Sequence, residues 1–162
     1  MTDIHSDSIE AQIENLQEGV RVIRSSAEAL PAEGFLGPLG NWTPRDVVAH
    51  LIGWNRYSVT GSRQLLKGEQ PFYDEDPGEN YSNVNARLVS EYSSRDRTEL
   101  LAEHAQAAAE LAEYLRSLSP HDWQREMGVS FDGDELIIRQ NVDWLIEDHH
   151  YHGEQLRALA QA

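Results

Sequence analysis

Apolar residues recur at helical spacing in four long stretches of this chain, with prolines, glycines and polar clusters between them. The first stretch runs from about Ser8 to Leu30 and sets Ile9, Ile13, Leu16, Val20, Ile23, Ala27 and Leu30 along one face. Pro31 stops it, and the three glycines and two prolines of residues 31–40 predict a loop. The second stretch opens on Thr43-Pro44-Arg45-Asp46. Threonine can cap, proline suits the first helical position, and an early carboxylate sits well at the positive end of the helix dipole. Its face (Val47, His50, Leu51, Trp54, Tyr57, Ser58, Gly61, Leu65) ends near Gly68. Gly53 and Gly61 inside it each cost roughly 1 kcal/mol relative to alanine, which points to close packing or to room for a ligand.

A long connection follows, from Glu69 to about Tyr81. Its acidic run Asp74-Glu75-Asp76 lacks the spacing of a cation-binding loop and reads as a solvated loop. Residues 82–92 predict a short helix, and Ser94 is the expected cap of a long one from Arg95 to Leu118. The inward face of that helix holds Leu100 or Leu101, His104, Ala108, Leu111 and Leu115. Ser119-Pro120 starts a turn or short helix, an extended pair is expected around Val129 to Phe131, and the last helix covers about Glu135 to Ala160. The prediction is a single all-α domain spanning residues 1–162, a four-helix bundle. The long connection between the second and third helices lets those two run parallel, giving an up-down-down-up bundle; a plain up-down bundle is the alternative.

Charge and composition narrow the function. With 13 Lys and Arg against 28 Asp and Glu, the formal charge is −15, which argues against a nucleic-acid partner and against an anionic membrane surface. No apolar run reaches the length of a membrane span, and the start Met1-Thr2-Asp3-Ile4-His5 lacks a signal peptide's basic and apolar regions, so the expected location is cytoplasmic. The chain has no cysteine. Any metal must therefore be held by imidazole and carboxylate, which suit zinc, nickel, iron or manganese.

Four of the seven histidines fall in two helical segments about a hundred residues apart. His50 interrupts the apolar stripe of the second helix; taken alone, such a residue is more often a hydrogen-bonded core histidine than a ligand. The last helix changes that balance. Its stripe runs Ile138, Val142, Leu145, His149, His152, Leu156 and Leu159, with Asp148 at its border. Asp148 and His152 are four apart and project to one side of a helix about 6 Å apart, within the span of one ion. His149 lies nearer the stripe's centre and forms a rival pair with His152 at a spacing of three. His50, Asp148 and His152 would leave coordination positions open, the catalytic rather than the structural pattern. His104 is either a partner that orients a ligand or a packed core histidine. His150 should point away from the core, Glu147 and Glu154 should form solvated faces, and His5 and His121 carry no signal.

The segment Trp42-Thr43-x-x-Asp46-Val47-Val48-Ala49-His50-Leu51-x-x-Trp54 resembles the second helix of the DinB-like superfamily, which includes the DfsB-type proteins and the metal-binding domain of mycothiol-dependent maleylpyruvate isomerase. The closing Asp148-x-x-x-His152-x-x-Gln155-Leu156 is similar to that superfamily's final-helix motif, His-x-x-x-His followed by Gln and an aliphatic residue. The resemblance covers most of the chain, including the region of Asn85. It implies an up-down-down-up bundle, one divalent metal held by His50, position 148 and His152, and frequent dimerisation. The chain departs from the commonest pattern in having Asp at position 148, where the isomerase branch also carries a carboxylate, as Glu.

Two functional readings follow, with a structural one beside them. The first is an enzyme whose metal, nickel or zinc foremost, activates water or a low-molecular-weight thiol toward a small-molecule substrate, as a thiol transferase or hydrolase. Trp42, Trp54 and Tyr57 would shape its pocket, with Tyr151 set obliquely. The second is a binding or sequestration protein that captures a small toxic molecule without turnover. The structural reading is a homodimeric bundle that binds metal only adventitiously.

Overall fold

The computed structural model describes residue 4 and residues 6–162; residues 1–3 and His5, read above for leader and ligand signals, lie outside them. Seven helices and one small hairpin make up the described chain: α1 (Ile9–Ala29), α2 (Ala32–Phe35), α3 (Pro44–Leu66), α4 (Ser82–Tyr92), α5 (Arg97–Arg116), α6 (Pro120–Gln124), β1 (Ser130–Phe131), β2 (Asp134–Glu135) and α7 (Ile138–Gln161). The fold is all-α apart from that hairpin, with α1, α3, α5 and α7 as the long members of the bundle.

Local chemistry explains most of the boundaries. Ser8 caps α1 by accepting from the Ala11 amide. Thr43 and Asp46 form the reciprocal capping box that starts α3, with Pro44 at the first helical position. Three boundaries differ from expectation. Residues 32–35 form a helical turn rather than loop, and Phe35 at its end is only 3% exposed, so burial of one ring holds the turn down. Asp96, not Ser94, caps α5 by accepting from the Glu99 amide at 2.8 Å. The last helix starts at Ile138 rather than near Glu135 because Asp134 and Glu135 pair with Phe131 and Ser130 in an antiparallel ladder. The turn between the strands is Asp132-Gly133, both at positive φ, the dipeptide that a two-residue hairpin turn favours.

Side-chain pairs along the helices set their directions. Arg56 donates to Glu103 and Arg63 lies over the ring of Tyr114, so α3 and α5 run the same way. Glu10 pairs with Arg116, whereas Arg97 donates to the carbonyls of Ala27 and Leu30, so α1 opposes α5. Gln12 meets Asp143 near one end of α1, and Val22 faces Gly153 toward the other, so α7 follows α1 and opposes α3. The connection after α3, with α4, carries the chain back for α5 to start anew.

Two apolar clusters fill the bundle. Leu51, Ile52, Leu88 and Leu100 anchor one around α3, α4 and the start of α5. Ile13, Leu16, Leu111, Leu115 and Trp123 anchor the other between α1, α5, α6 and α7. Trp54 packs against both. The two glycines inside α3 resolve as close packing: Gly61 lies against the ring of Tyr73, and a Cβ at Gly53 would overlap the methyl groups of Leu88, itself fully buried. Gly53→Ala should therefore destabilise the protein by about 1–3 kcal/mol, because overpacking outweighs the gain in helix propensity. Urea unfolding measures this, and an unchanged or raised midpoint would show that Leu88 yields without strain. Among the described residues, no helix is long and apolar enough to cross a membrane.

Candidate metal centre and its cavity

His50 sits in the second turn of α3, and Asp148 and His152 lie one turn apart on α7. Antiparallel packing brings one potential ligand atom from each to within 4.8 Å of the others. The Nε2 atoms of His50 and His152 stand 3.2 and 3.3 Å from the two carboxylate oxygens of Asp148. Both imidazoles are nearly enclosed, at 2% and 9% exposure, while Asp148 is partly open to the cavity described below.

The other ring nitrogens decide what these atoms offer. Nδ1 of His50 lies 2.6 Å from the Val47 carbonyl, and Nδ1 of His152 lies 2.8 Å from Oε1 of Gln155. Both neighbours accept, so both Nδ1 atoms donate and each ring turns its Nε2 toward Asp148. Two imidazole Nε2 atoms and a carboxylate thus converge at hydrogen-bonding distance. Where each Nε2 carries a proton, both rings donate to the carboxylate; where it does not, a single divalent cation would satisfy all three atoms at once, and the set of two imidazoles and a carboxylate suits such an ion. The residues present fit a metal. Burial alone would raise the Asp148 carboxyl, but hydrogen bonding to His152 and His50 outweighs it and holds the group well below the usual carboxylate range.

His149, the rival ligand, turns away from this group. Its Nδ1 donates to the Leu145 carbonyl at 2.8 Å, so its Nε2 accepts, from Asn55 at 3.3 Å and from Nε2 of His104 at 3.0 Å. The rings of His104 and His149 stack with centroids 5.2 Å apart. Burial pushes His149 down to about 4 and His104 well below its ordinary value, so both are neutral members of the core. Nδ1 of His104 and Oδ1 of Asn55 are buried with no hydrogen-bond partner among the described protein atoms. His104 thus meets His149 and makes no hydrogen bond to the three-residue group, which sets aside its reading as a partner that orients a ligand. His150 is partly buried, and Glu154 is exposed and paired with Arg157.

The group forms one wall of a cavity of about 700 Å³. Trp42 packs over both imidazoles, 4.6 Å from the His50 ring centre and 6.3 Å from that of His152. Trp54 forms another wall, its indole nitrogen donating to Asn85 at 2.7 Å and its ring edge-on to Tyr73 and Tyr81. Tyr57, expected in the pocket, stands behind that wall against Phe72, Tyr73 and Trp54 and is not among the lining residues, because the aromatic layer of the second connection fills the space before it. Trp144 and Tyr151 lie at the rim, 42% and 61% exposed.

Several lining residues escaped the sequence. Asp74 is 7% exposed and accepts from the Tyr81 hydroxyl at 2.7 Å, which corrects the reading of residues 74–76 as wholly solvated; Glu75 and Asp76 are exposed as expected. Desolvation raises the Asp74 carboxyl despite its hydrogen bonds from Tyr81 and Gln70. The hairpin adds Phe131, Asp132 and Asp134, and α7 adds Glu147, which was assigned to a solvated face. Asp132-Gly133, a strong short-range turn signal, was visible in the sequence and would have located the hairpin.

Comparison with known proteins now adds a decisive observation: the sequence profile of the DinB superfamily matches residues 10–156. The chain belongs to the DinB superfamily. Among solved structures, the DinB-fold neighbours include the colibactin self-resistance protein ClbS, in complex with dsDNA, at 15% identity over 97% of this chain and 98% of that one, with a TM-score of 0.78. The mycothiol-dependent maleylpyruvate isomerase is 17% identical over 96% of this chain, with a TM-score of 0.74, and this chain spans 63% of its length. An uncharacterised protein from Clostridium difficile 630 is 11% identical over 94% of this chain and 95% of that one, with a TM-score of 0.80. At these identities the likeness concerns the fold. No curated protein matches the chain.

Proposed function

We propose that this DinB-superfamily protein is a metal-dependent enzyme acting on a small organic molecule, by the transfer of a low-molecular-weight thiol or by hydrolysis. One observation carries this reading: two imidazole nitrogens and a carboxylate converge within 4.8 Å of one another on the wall of a cavity large enough for a substrate. His50, Asp148 and His152 would hold the ion. Bound there, a divalent ion supplies Lewis acidity that makes a water or thiol a better nucleophile near neutral pH. The protein's part is positioning. Val47 and Gln155 hold the two imidazoles in the tautomer with Nε2 free, Trp42 shields both rings from solvent, and the aromatic walls bury the apolar body of the substrate.

The isomerase among the fold neighbours supports an enzyme, and the self-resistance protein supports the second reading, capture of a harmful small molecule without turnover. The dsDNA of that neighbour is not carried over, since a chain with a formal charge of −15 presents no basic footprint for phosphates. Elemental analysis of the untagged protein comes first, followed by a screen of electrophiles with and without glutathione or mycothiol. Turnover that needs the metal supports the enzyme. Binding of the same compounds with no turnover supports capture, and protein that holds no stoichiometric metal when nickel or zinc is supplied would sink both.

A further inference from the structure

The cavity is acidic to a degree that the metal group does not require. Five of its lining residues are carboxylates: Asp74, Asp132, Asp134, Glu147 and Asp148. None of the described residues that line it is lysine or arginine. A divalent ion held with Asp148 would leave an excess of negative charge. Asp74 sharpens the point, because it is buried in the wall and its hydrogen-bond partners, Tyr81 and Gln70, are neutral. The lining is also rich in aromatic rings, among them Trp54, Tyr73, Tyr81 and Phe131, which pack on one another. Carboxylates focus a negative potential into a cleft with low-dielectric walls, and aromatic faces attract cations through their quadrupoles. An anionic ligand would meet repulsion from every side except that of the metal.

We propose that the cavity takes a small organic cation, an ammonium carried on a flat apolar body, and discriminates against anions. The inference concerns the same cavity and depends on the metal-dependent reading only for the claim that the bound cation is the molecule transformed. It separates this chain's substrate class from the carboxylate-bearing compounds that a divalent metal alone would favour.

The test uses three probes on one ring system: (1-naphthylmethyl)trimethylammonium, 1-naphthylmethanol and 1-naphthylacetate. The quaternary ammonium has no lone pair, so its binding is not metal ligation, whereas the carboxylate probe can ligate. Calorimetric titration of the full chain, as purified, should show the cation binding about tenfold or more tighter than the alcohol, an advantage consistent with desolvated cation–π and charge contacts, with the acetate weakest. Asp132→Asn/Asp134→Asn removes two rim charges and keeps an Asn-Gly turn that suits the hairpin. It should erase most of the preference for the cation. Glu14→Gln/Glu113→Gln makes the same charge change on exposed positions outside the lining and should leave that preference intact. Acetate binding as tightly as the cation, or equal losses in the two double variants, would overturn the proposal. Metal content, read on the same samples, reports separately on the metal-dependent reading: loss of metal with cation preference retained sinks only that reading, and metal retained without the preference sinks only this one.

Discussion

Replacing His50 with alanine should abolish stoichiometric binding of a divalent ion, nickel or zinc foremost, while leaving the bundle folded. The wild-type protein should carry close to one ion per chain. His50 supplies one of three potential ligand atoms that lie within 4.8 Å of one another, and its side chain comes from a different helix than the other two. Without it, Asp148 and His152 remain as a pair on one helix, with no ligand from a second element to close the site. The loss to the fold is limited because the His50 side chain already lines a cavity and its hydrogen bonds, to the Val47 carbonyl and to Asp148, are worth about 1 kcal/mol each. Ligand linkage magnifies the contrast. At a free metal concentration about 100 times the dissociation constant, the ion should stabilise wild-type protein by about 2.7 kcal/mol and the variant not at all. Elemental analysis and denaturant titrations with and without metal measure both quantities. Equal, sub-stoichiometric metal in the two proteins would show that the site is wrong.

The second large effect separates two adjacent residues of α7. Asp148→Ala should weaken metal binding by more than about a hundredfold, the upper end for losing a group that merely orients a ligand. Its effect on folding should be a modest loss, since it removes a carboxylate that His50 and His152 hold below its usual range by hydrogen bonding. His149→Ala should do the opposite. It empties a fully buried position and leaves the donors of His104 and Asn55 without their acceptor, at a combined cost of about 2–4 kcal/mol, with metal affinity largely kept. Asp148→His should still bind, and Asp148→Asn should bind more weakly for want of the charge. Metal titration of the four variants beside their unfolding curves settles the assignment: unchanged affinity in Asp148→Ala transfers the ligand role to His149.

These two residues also mark how far the sequence could be read. Helix periods, caps and breakers act within a few residues, and so the four long helices, the Thr43 start and the Ser8 to Leu30 segment were legible from composition and spacing alone. The same local geometry placed Asp148 and His152 on one side of α7 and His50 on the inner face of α3. Whether Asp148 or His149 faces His50 was not legible. Successive residues on a helix differ by about 100° in direction, and rotation of α7 by that step would exchange them. That rotation is set by packing against α1, where Gly19 lies against the His149 side chain and Val22 against Gly153.

The cavity belongs wholly to the tertiary level. Tyr57 shares a helical face with Trp54, yet Tyr73 of the folded second connection stacks on it and lines the cavity in its place. Asp74 looked like one of three solvated acids until Tyr81, seven residues on, closed over it. The sequence by itself determined the helical class, the element order and the residue types able to hold an ion, because these depend on short-range backbone preference and side-chain chemistry. Only the tertiary structure decided which acceptors converge and which carboxylates share the cavity, because both depend on the rotation and register of elements far apart in the chain.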